Sequence, residues 1–210
     1  MTHQSLNLSP GNHPDLHLPE ADYVAGVQAF LSGQCAHDDQ EAQQAWDTLC
    51  ATANVKLAIV ITAACLKDPG IAGMMAPGNW HFSEEEERMG VGKAGMVVNP
   101  HFVMTETHDR IEVVLCHEWL HVALNHIPRR DAFLTEMNDP ANKKTLERVF
   151  NAGSDLEVNS ILHDDLVRTG LHNIAFVPGY RSCTGLPLGL TAEAYTRIIL
   201  TTPEIAAVVE

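Results

Sequence analysis

The chain has 210 residues, a formal net charge of −14 and 45% hydrophobic residues, which suits one globular domain with its own core. The acidic balance disfavours nucleic acid, because the basic clusters are only Arg129-Arg130 and Lys143-Lys144. No run of about 18 apolar residues marks a membrane span. The first residues lack a signal peptide's basic start and apolar stretch, and five cysteines without a CxxC pair read as free thiols. A cytoplasmic protein is expected, with no nucleic-acid or membrane partner.

In chain order, residues 1–19 are polar, with Pro10, Gly11, Pro14 and Pro19, and read as a flexible arm. Residues 20–210 read as a single domain without repeats. Tyr23, Val24, Val27, Phe30 and Leu31 recur at helical spacing, and Gly33 closes that helix. Asp38 or Asp39 caps a second helix that runs through Trp46 and Leu49. Residues 55–66 fit a buried strand or a buried helix; their Ala and Cys content favours helix, with Asp68-Pro69-Gly70 as its stop. Residues 76–95 are rich in Gly, Pro and Glu, and Glu84 to Glu87 read as a solvated surface segment without a metal role. The run GMVVNP at 95–100 reads as a strand ended by Asn-Pro.

A long helix is predicted from Thr105 or Thr107 to His126, ended by Pro128, and another from Lys143 to Arg168, stopped at Gly170. A Gly/Pro-rich loop covers 177–190. Thr191 then caps a short helix through Leu200, with Glu193 and Glu204 outside its apolar face. The fold class is α+β, mainly helical.

The first long helix carries His117-Glu118-Trp119-Leu120-His121, an HExxH sequence. Residues four apart on a helix stand one above the other, so both imidazoles can reach one ion. Glu118 lies about 100° around the axis from His117. It misses the metal but can reach the metal's water, whose proton it can take as general base. Ile111, Val114, Leu115, Val122 and Leu124 are available to pack the rest of this helix.

A catalytic zinc normally needs a third protein ligand. His126 is near in sequence but sits about 140° around a continuous helix from His121. It is expected to meet the carbonyl end of its helix or to pack. The metzincin pattern is also broken, since Leu124 and Ile127 stand where glycine and histidine are required. The next long helix offers Asn151, Asp155, Asn159 and His163 at four-residue intervals, a polar stripe opposed by Val149, Phe150, Leu156, Val158, Ile161 and Leu162. Asp155 is the candidate third ligand. Asn159 is placed to hold a ligand histidine, and Asn151 is a structural or supporting residue. Glu157 is the rival ligand, but points roughly 160° away.

The sequence resembles an HExxH metallopeptidase domain family often found beside von Willebrand A-like domains in bacterial and phage proteins. The resemblance rests on the NP-containing strand, HEWLHVALNH followed by Arg129-Arg130, the spacing of Asn151, Asp155 and Asn159, and the late segment VPGY…GLTAEAYTRIIL. It implies a zincin-like fold with a small sheet beside the HExxH helix. It also implies one zinc per chain, a peptide or protein substrate, and a von Willebrand A-like or other regulatory partner. On this reading the GMVVNP strand pairs with an extended substrate, and His163, His172, Tyr180 and Arg181 are available to steady an oxyanion. Two alternatives stand: an inactive zinc-binding protein acting through a partner, and a zinc hydrolase of a non-peptide substrate.

Overall fold

The computed structural model describes residues 39–67, 80–92, 95–173, 175–180, 183–202 and 205. The expected arm at 1–19, the helix at 21–31, the stop at 68–70, Arg181 and Glu204 lie outside these. The chain divides into two units, Met1–Asp47 and Thr48–Glu210. Of the first, only the opening turns of helix α1 are described.

Helix α1 spans Asp39–Lys67, so the residues that could be strand or helix are helix. The two expected segments are one element. Leu49, Ala53, Leu57, Val60 and Ala64 fall on one stripe and are all buried. Ala53, Leu57, Val60 and Ala64 pack on Met96 and Val98, on Phe102 and Val103, and on Ile111 and Leu115. By length and composition alone α1 could cross a membrane, although its apolar residues do not form an unbroken run. Lys56 donates from Nζ to Met104 O (3.2 Å) and Glu106 O (2.8 Å), tying α1 to the 104–106 segment.

A three-stranded sheet follows. Strands β1 (Trp80–Phe82), β2 (Met89–Gly92) and β3 (Gly95–Val98) are ordered β1-β3-β2. β3 runs parallel to β1, with Trp80 opposite Met96, and antiparallel to β2, with Met89 opposite Val98. Only β3 is legible in the sequence. β1 and β2 are three and four residues long, too short for a period of two to register, and β2 contains two glycines. Their hydrogen bonds to β3 make them strands.

Asn99 ends β3 and begins helix α2 (Pro100–Thr105). Its Oδ1 accepts from His101 N (2.8 Å), and its Nδ2 donates to Glu86 O (2.7 Å), pinning the 84–88 connection. Thr107 Oγ1 accepts from Arg110 N and caps helix α3, His108–Ala123. The expected continuation to His126 does not occur. Asn125 adopts a left-handed conformation (φ +58°), and a new helix, α4, runs His126–Met137. Pro128 sits in its first turn, where the missing N–H costs nothing.

The second long helix is also divided: α5 is Lys143–Ile161 and α6 His163–Arg168, with Leu162 between them. A 3-10 turn, Leu171–Asn173, follows, and helix α7 is Ala192–Thr201, capped by Thr191 Oγ1. Val149, Ala152 and Leu156 of α5 pack on Tyr195 and Ile199 of α7. Ile161 and Val122, expected to pack, are exposed. Gly153 makes the α5–α7 approach possible, because a Cβ there would lie 2.6 Å from Ala192 O and closer still to Thr196 Oγ1.

Candidate metal centre

Helices α3 and α5 each carry half of the site. On α3, one helical turn separates His117 from His121, and their Nε2 atoms lie 3.0 Å apart. Asp155 Oδ1 of α5 faces both, 3.6 Å from His117 Nε2 and 3.3 Å from His121 Nε2. One ligand atom from each of the three lies within 4.8 Å of the others, a geometry able to hold a metal ion.

The donor chemistry fits a cation. His117 Nδ1 is 2.8 Å from Asn159 Oδ1, which can only accept, so the imidazole proton belongs on Nδ1. Asn159 is held in turn by donating from Nδ2 to Phe176 O (2.7 Å). His117 Nε2 is thereby left as a lone pair. It faces the His121 Nε2 and a carboxylate oxygen, three donor atoms that a single bound cation can share. Asn159 is 1% exposed, so its two hydrogen bonds replace those it would make in water.

The acid–base balance carries the same signature. Burial opposes protonation of His117, but the hydrogen bond and charge of Asp155 outweigh it and raise its pKa above the ordinary value. Burial would raise the Asp155 pKa, yet hydrogen bonds to His117 and His121 hold it well below the carboxylate range. Asp155 is therefore anionic, as a ligand must be.

Glu118, one residue after the first ligand, is buried at 9% exposure. Burial pushes its pKa up, against the charges of His117 and His121 and a hydrogen bond from the Val91 main chain in β2. The sheet thus reaches the site through β2. The expectation that β3 could take an added strand is corrected: β3 is paired on both sides. Among the described residues the open sheet edge nearest Glu118 belongs to β2.

These groups line a cleft of about 450 Å³. Gly90 and Val91 form one side, and Ile127 and Arg130 of α4 and Ser154 of α5 form others. Glu86 also lines it, half-buried, with its carboxylate against Gly90; the solvated reading of Glu84 to Glu87 misses this. Asn151 is exposed at the cleft wall and makes no hydrogen bond to His117 or His121.

The chain matches the family described as "Putative metallopeptidase domain" over residues 66–196. It belongs to that family. No curated protein and no solved structure matches it. The His-x-x-x-His…Asp triad of this metallopeptidase domain corresponds to a zincin-type site with Asp as third ligand.

His126 packs in the interior and is hydrogen-bonded there. It is 4% exposed, and its Nδ1 lies 2.8 Å from His121 Nδ1. Its Nε2 is 3.1 Å from Glu157 Oε2, which also accepts from Arg129 Nη2 (3.0 Å) and Ala192 N (2.7 Å). Arg129 continues to Glu193, with Nη2 2.6 Å from its Oε2. Glu157 points away from the ligand triad, as its helix position predicts, but into this buried network. Sequence reasoning missed it because the turn at Asn125, not helical periodicity, aims His126. Burial holds the His126 pKa below its ordinary value, although Glu157 pulls it up.

His163, His172 and Tyr180 gather elsewhere. The Tyr180 ring centroid is 5.7 Å from that of His163 and 4.8 Å from that of His172. None of the three is among the residues that line the cleft.

Proposed function

We propose that this metallopeptidase domain hydrolyses peptide bonds with one zinc ion and Glu118 as general base. The observation that carries the reading is the buried Glu118 carboxylate beside the His117, His121 and Asp155 triad, at a cleft open to the sheet edge. His117 Nε2, His121 Nε2 and the Asp155 carboxylate would hold the zinc, which when bound polarises a carbonyl and lowers the pKa of water towards about 7.

The side chains supply the rest. Asn159 keeps His117 in the tautomer that offers Nε2. Glu118 takes a proton from the attacking water and delivers it to the leaving amine. The Val91 N–H holds the carboxylate in place, and an extended substrate would lie along β2. A purely structural zinc site is usually closed by four protein ligands and has no use for a buried carboxylate at this position, which favours the enzyme over an inactive binder.

Zinc stoichiometry and cleavage of a generic protein substrate test this in wild type and Glu118→Gln. The variant should keep its zinc and lose about 10²–10⁴-fold in rate. Unchanged hydrolysis in Glu118→Gln would sink the mechanism.

A further inference from the structure

We propose that His126 is a positioning residue of the metal centre. It accepts the Nδ1 proton of His121, fixing the tautomer and ring orientation that present His121 Nε2 to the ion. Glu157, anchored to the start of α7, holds His126 in turn. This rests on the metal-binding reading of the triad.

The argument is a count of protons. Two ring nitrogens 2.8 Å apart share one hydrogen. If His121 uses Nε2 as a ligand, its proton is on Nδ1, and His126 Nδ1 must accept. The His126 proton then sits on Nε2, aimed at Glu157 Oε2 3.1 Å away. The reverse order fails at both ends. It sets the His126 Nε2 lone pair against a carboxylate oxygen, and it puts a proton on His121 Nε2, where the ion would bind.

Three donors converge on Glu157 Oε2: His126, the Arg129 guanidinium and the Ala192 main-chain N–H. Glu157 is largely buried, so its charge needs these donors and its direction is fixed by them. Ala192 is the first residue of α7, whose N-terminus favours an anion. The left-handed Asn125 is what permits the contact, since a continuous helix would carry His126 about 140° away from His121. A helix some 70 residues downstream of the HExxH sequence thereby helps to orient one of its histidines.

The test uses the full chain. Long-range proton–nitrogen spectra of the metal-free protein report the tautomer of His121, and competition with a chromophoric chelator reports zinc affinity. His126→Phe should remove the Nδ1–H tautomer preference of His121 and weaken zinc binding about 10–100-fold. His126→Gln, whose amide oxygen can accept the same proton, should recover most of that affinity. Equal weakening in both variants would reduce His126 to packing and overturn the proposal, as would wild-type affinity in His126→Phe. Should His126→Phe not fold, Glu157→Gln serves: it should loosen the His126 orientation and weaken zinc binding by a smaller factor, and no change overturns the proposal. A wild type that binds zinc with His121 protonated on Nδ1 yet cleaves no peptide overturns only the proposed activity. A wild type with His121 protonated on Nε2 overturns the positioning role whatever the activity.

Discussion

The two ligand histidines are one turn apart on the same helix, but they are held in opposite ways. His117 leans on a neutral amide, Asn159, whose other end meets a main-chain carbonyl. His121 leans on a second histidine, then a carboxylate, an arginine and a further carboxylate. The first branch closes within α5 and the loop at Phe176. The second leaves α3, crosses α4 and α5, and ends on α7. One helix can supply two ligands at fixed spacing without supplying the means to orient both.

This contrast can be broken or sharpened by substitution. The largest effect is expected at the point where the branches converge. Asp155→Ala removes the carboxylate facing both Nε2 atoms and should weaken zinc binding by more than about 100-fold. Full zinc occupancy in that variant would remove Asp155 as a ligand. Gly153→Ala should cost about 1–3 kcal/mol in urea unfolding, because the added methyl meets Ala192 O and Thr196. Pushing α7 off α5 should disturb the His121 resonances and leave those of His117 unchanged.

Asn159→Ala is the mirror image. It strips the acceptor from His117 and should weaken zinc binding about 10-fold, with the His121 tautomer intact. Equal disturbance of both rings would mean that the branches are not independent. The smallest effect is at the far end of the charged branch. Arg129 holds the Glu193 carboxyl down at about 2, against an ordinary 4.5. A folded-state pKa below the unfolded value stabilises above the latter and loses that contribution as pH falls through the former. The pair should therefore contribute about 1 kcal/mol above pH 4.5, after discounting for its exposure, and lose it as the pH falls towards 2. Acid unfolding of Glu193→Gln should lack that slope, while zinc affinity at neutral pH should change little.

The neutral branch was legible in the sequence and the charged branch was not. His117 with His121, and Asp155 with Asn159, are pairs four residues apart, and helical repetition alone aligns each pair. Thr107 and Thr191 are caps whose hydroxyls act within three residues. The same local logic fails at Asn125. Continuing the helix was the better local expectation, and a left-handed turn at a residue other than glycine holds only because tertiary contacts secure it. A continuous helix therefore sends His126 to the carbonyl end of its helix or to packing, and leaves Glu157 as a rival ligand that points away. Strands β1 and β2 were missed for a related reason, since each is defined by its pairing with β3.

By itself the sequence determined the His117, His121 and Asp155 triad, the glutamate that follows its first member and the helical turns that carry them, because those relations repeat every turn along hydrogen-bonded backbone. Only the tertiary structure decided which strand edge borders Glu118, that Glu86 lines the cleft, and that His121 is tied to α7. Those relations join residues tens of positions apart, and burial and polar satisfaction fix them where periodicity is silent.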